Sequence, residues 1–153
     1  TAEDYDAIGA ATEEDGFMPI VNAVLGGETG RIGQEIRRMR ELGLNPLGVA
    51  LALERRAAVL AQIVSRIGPS GAIDRLGPGD KAQLGIFFRE ERDIRAQFSR
   101  WMQPAARGSR ETRLDRLIPR LTALHRLLLG NSAAAELLLA QELTQIARFA
   151  AKR

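Results

Sequence analysis

Apolar residues recur at every third or fourth position along most of this chain, and nowhere do they alternate in the period-2 runs that a strand needs. No Asn-Gly or Asp-Gly hairpin turn is present. The expected class is therefore all-α, and Gly and Pro mark where one helix gives way to the next. A short helix is expected from Pro19 to Leu25, stopped by Gly26-Gly27, and a second from Thr29 to Leu42 with Ile32, Ile36 and Met39 on one face, closed by Gly43. Asn45-Pro46 opens a long helix, with Asn as cap and Pro at the first position. Its stripe is Val49, Leu53, Leu60, Ile63, Val64 and Ile67, and Gly68-Pro69 ends it. Residues 69–80 read as loop, with one helical turn at Ala72–Leu76. A further helix carries Phe87, Ile94, Phe98 and Trp101 toward a core. After a break at residues 103–109, another uses Leu114, Leu117, Ile118, Leu121, Leu124 and Leu128 and stops at Gly130-Asn131, with Pro119 expected to kink it. Ser132 caps the last, whose core face is Leu139, Leu143, Ile146 and Ala150. Thr1 with Asp4 opens one more short helix at the start. Five or six helices on short loops make a bundle.

Composition excludes most chemistry. The 153 residues hold no Cys and one His, His125, so thiol nucleophiles, Cys-ligated metals and a Ser–His–Asp triad are not expected. His125 itself reads as a helix-boundary residue. Gly26–Gly33 is rich in Gly, but lacks the Lys-Ser/Thr of a Walker loop and follows no strand, so it reads as a helix-to-helix turn. Glu90, Glu91 and Asp93 interleave with Arg89, Arg92 and Arg95, the pattern of ion pairs on a solvated face. Catalytic, cofactor-binding and metal-binding residues are all expected to be none. No apolar run reaches the length of a membrane span, and the acidic start is no secretion signal; the expected compartment is the cytoplasm.

The net charge of +3 is unevenly spread: −6 over the first fifteen residues and +9 over the rest. Twenty of the 22 basic residues are Arg. Arg107, Arg110, Arg113, Arg116 and Arg120 recur every three or four positions and, on one helix, make a basic stripe opposite Leu114, Leu117 and Leu121. That stripe leaves open a helical nucleic-acid-binding module. The Met39–Pro46 turn also looks like a helix-turn-helix, but the helix after it begins Leu47-Gly48-Val49-Ala50-Leu51, with no donor or acceptor for a base edge. It reads as an αα-hairpin.

Five pieces in order carry a resemblance: Thr1–Asp4 (T-x-E-D), Val21–Gly27 (V-N-A-V-L-G-G), Arg40–Leu47 (R-x-L-G-L-N-P-L), Phe87–Trp101 (F-F-R-E-E-R…Q-F-S-R-W) and the Leu-rich Leu117–Leu128. Together the chain resembles the C-terminal part of the delta subunits of bacterial DNA polymerase III clamp loaders. The resemblance implies a helical collar domain at 17–153, with 1–16 as the tail of a preceding AAA+-like lid domain. The chain would assemble with the C-terminal domains of the other loader subunits and meet the sliding clamp only through upstream domains. It would bind no ATP and do no chemistry itself, within an assembly that loads the clamp onto primed DNA in replication. It also implies an apolar patch that neighbouring subunits cover. Residues 103–111 look inserted relative to the family pattern, and Pro119 departs from it.

Overall fold

The structure is a computed structural model and describes residues 16–152. The expected first helix at Thr1 lies outside the described residues, as does nearly all of the expected lid tail. Among the described residues the fold is all-α, with one isolated bridge, Pro104 to Thr112, as its sole β-type pairing. Seven α-helices are present, against the five or six expected from periodicity: α1 (16–25), α2 (Ile32–Glu41), α3 (Pro46–Ile67), α4 (Pro78–Gln83), α5 (Phe88–Trp101), α6 (Arg113–Gly130) and α7 (Ala135–Ala151). Short 3-10 turns precede α2, α4 and α7.

The uncounted helix is α4. Only six residues long, it has no room for an apolar period, and its residues Pro78 to Gln83 are all polar or small. Local chemistry builds it instead. Pro78 sits at the first position, and the Gly77 N–H donates to Asp80 Oδ2 at 3.3 Å. The end is a Schellman closure: Gly85 adopts φ 74° while Ile86 N–H donates to Lys81 O and Gly85 N–H to Ala82 O. The same closure ends α1 at Gly27 and α2 at Gly43.

Helix starts follow the sequence unevenly. Asn45 caps α3, its Oδ1 accepting from Leu47 N–H at 2.9 Å. The helix expected from Pro19 already includes Gly16. Ser132 does not cap α7; it opens a 3-10 turn, and α7 begins after Ala134 without a side-chain cap. α6 starts on a reciprocal box that periodicity did not reveal: Asp115 N–H donates to Thr112 Oγ1, and Thr112 N–H to Asp115 Oδ2. α6 runs through Pro119 as one helix. The proline's missing N–H leaves the Asp115 carbonyl without its i+4 donor, and both residues are exposed, so that carbonyl is not cut off from solvent in a core.

The chain forms two compact units. One contains the described residues up to Leu53 and those from Leu124 onward; its core includes Ile20, Leu25, Met39, Leu53, Leu139 and Leu143, all essentially without exposed surface. The other, Glu54–Ala123, buries Leu60, Ile63, Ile94, Trp101, Leu117 and Leu121. Of the apolar stripes read from spacing, Ile36, Val64 and Ile67 are only half-buried, and Ile118 and Phe87 are exposed. On α2 the buried place beside Ile36 goes to Glu35.

Candidate interaction surfaces

Electrostatics in the 54–123 unit is organised around a buried cation. Arg56 is 5% exposed and donates to Gln97 Oε1 at 2.8 Å. Burial pulls its guanidinium below the ordinary value, while the charges of Glu90 and Asp93 push it back up. Two acids of α5 thus lie near enough to act on an internal cation. The third, Glu91, accepts from Lys81 of α4 and from Arg95 at 3.2 Å. Its hydrogen bond to Lys81 holds its carboxyl below the usual range. Arg95 also reaches Asp74 at 2.8 Å, which lowers the Asp74 carboxyl and raises Arg95. The expected Glu–Arg pairing along α5 is therefore only part of the pattern, and most partners lie on other elements.

The acids of α5 are half-buried, and the most exposed face of the helix is apolar and basic. Phe88, Arg89, Arg92, Ala96 and Ser99 are exposed along it. Phe88 is 93% exposed and Phe87, at the N-cap, 64%. Phe87 had the right spacing from Ile94 for a core position, but Ile86 takes that place. It is the residue just after the Gly85 closure, and it is 5% exposed. Phe87 itself has extended backbone, φ −88° and ψ 153°, so the helical spacing to Ile94 does not reach it.

The residues proposed for nucleic acid do not share one helix face. Arg107 and Arg110 are exposed but lie before α6. Arg113 is 8% exposed, Arg116 pairs with Glu111 at 3.0 Å, and Arg120 is half-buried. The segment preceding them is a closed loop. Ala105 N–H donates to Glu111 O and Arg113 N–H to Gln103 O, so residues 103 and 113 meet at its base. A segment whose ends meet can be inserted without displacing the helices it joins.

The other unit exposes Leu42, Leu127, Leu129 and Leu137. Beside Leu129 a groove of about 440 Å³ is lined by Pro46, Leu47, Leu128, Ser132 and Glu136. His125 is half-buried on α6, as a boundary residue should be. Among the described residues no cluster of three metal-ligating side chains forms, and no helix is long and apolar enough to cross a membrane. No family model, curated protein or solved structure matches the chain.

Proposed function

We propose that this chain is an assembly part: the collar region of a delta subunit of a bacterial DNA polymerase III clamp loader, with residues 1–16 as the tail of a lid domain. It contributes helix surface, not catalysis, and its partners are the C-terminal domains of the other loader subunits. The observation that carries this reading is the set of large apolar side chains left in water, Phe87, Phe88 and Ile118 in one unit and Leu42, Leu127, Leu129 and Leu137 in the other. Single exposed leucines are ordinary, but two adjacent phenylalanines on a helix tip are costly unless something covers them. The ordered family motifs and the all-α fold support the same reading. Pull-down of the chain with the other loader subunits tests it. Retention at micromolar concentration is expected, and no retention would contradict it.

A further inference from the structure

We propose that the tip formed by Phe87 and Phe88, with Arg89 and Arg92 beside it, is the anchor by which this chain holds a neighbouring protein, whose receiving surface is an apolar pocket edged with carboxylates. The inference rests on the assembly reading and narrows it to one surface and one partner chemistry.

Three observations carry it. The two rings stand at the start of α5 and are the most exposed aromatic side chains of the described residues. Each aromatic ring brings roughly 150–250 Å² of surface, and buried aromatics dominate binding energy at protein interfaces. The cations are also weakly held. Among the described residues no ion pair holds Arg89; Arg92 is 93% exposed and meets the Asp93 carboxylate only at 3.9 Å, the outer limit of pairing. Finally, the neighbouring acids are engaged elsewhere, Glu91 with Lys81 and Arg95, while Glu90 and Asp93 bear on Arg56. Two exposed guanidiniums beside an apolar tip, one unpaired among the described residues and one paired only at long range, complement carboxylates around a pocket, which Arg can grip with both arms of its fork.

The charge balance argues for a protein over a polyanion. From Phe88 to Arg95 three Arg alternate with three acids, so the segment is neutral as a whole. A nucleic-acid backbone or an anionic lipid surface presents uniform negative charge, and beside the cations it would also meet Asp93 and Glu91, whose side chains keep 35% and 23% of their surface exposed. Only a surface with carboxylates placed point by point gains from the cations without opposing the acids.

The test uses the whole chain and its Phe87→Ser/Phe88→Ser and Arg89→Glu/Arg92→Glu variants, with circular dichroism to confirm folding. Binding is measured to the other loader subunits, to phosphatidylglycerol vesicles and to single-stranded oligo-dT. The expected result is a loss of about 30-fold or more in subunit affinity for the Phe variant. The Arg variant should lose about tenfold and show a flatter salt dependence, while Arg89→Lys/Arg92→Lys retains the salt slope. If the wild-type chain binds the subunits and both variants bind within about twofold of it, the anchor is wrong and the assembly reading survives. If the wild-type chain does not bind them at all, the assembly reading falls and the anchor with it. Binding to vesicles or oligo-dT that the same variants abolish would overturn the choice of a protein partner.

Discussion

Trp101 is the largest side chain with no exposed surface, and it closes α5 against the core of the 54–123 unit. Trp101→Ala should cost about 3–5 kcal/mol, read from the urea midpoint followed by circular dichroism. A loss under about 1 kcal/mol would mean that the site collapses around the gap. Backbone conformation is equally specific at Gly27 and Gly43. Both hold φ near 65°, at 66° and 63°, but a side chain at Gly27 would stand 3.0 Å from Ala151 N, whereas Gly43 has open space. Each Gly→Ala change costs roughly 1–2 kcal/mol for the left-handed backbone, and Gly27→Ala should cost measurably more because of that neighbour. Equal losses in thermal melts would show that α7 yields at no expense. Both glycines were legible in the sequence as helix stops, since an apolar period that breaks at Gly has few other meanings. Glu35 and Arg56 were not. Periodicity ranks residues by hydrophobicity, so it offers no sign that a charged side chain will take a buried position.

At the level of elements, the long helices were legible because apolar spacing is strong over 14 to 22 residues. α4 was not, because it is made by a proline, a side-chain bond and a Schellman turn. Its link to α5, Lys81 with Glu91, is likewise invisible to spacing rules that compare positions within one helix. That link has a pH signature. Both Glu91 and Asp74 are held below their ordinary carboxyl values, so the unfolded chain takes up their protons first as pH falls. Their contribution is complete above the unfolded value, about pH 4, and is lost on descending through the lower folded value. Urea midpoints across that acid range should fall less steeply for Glu91→Gln than for wild type; parallel slopes would contradict the pairing. The start of α6 gives a second check. Thr112→Ala removes a cap and should cost about 1 kcal/mol, while Thr112→Ser should cost little. Equal losses for the two would show that Oγ1 does not matter.

For the molecule as a whole, what distinguishes the chain is what it leaves uncovered. Arg56 and Gln97 are paired in the interior of one unit, while phenylalanine and leucine side chains remain in solvent at several places. The interaction surface was only half-legible: the motif containing Phe87 and Phe88 stood out, but Phe87 was placed on the apolar stripe with Ile94, Phe98 and Trp101, and Phe88 was given no role. The basic stripe was the converse, regular in sequence yet divided by the loop that closes at Gln103 and Arg113. Whether apolar surface drives the proposed assembly is measured most directly by calorimetric titration of this chain into the clamp-loader subunits proposed as its partners, at several temperatures. Burial of the exposed phenylalanine and leucine faces predicts a clearly negative heat-capacity change on binding. A titration with no heat at any temperature, or binding whose enthalpy does not vary with temperature, would contradict it.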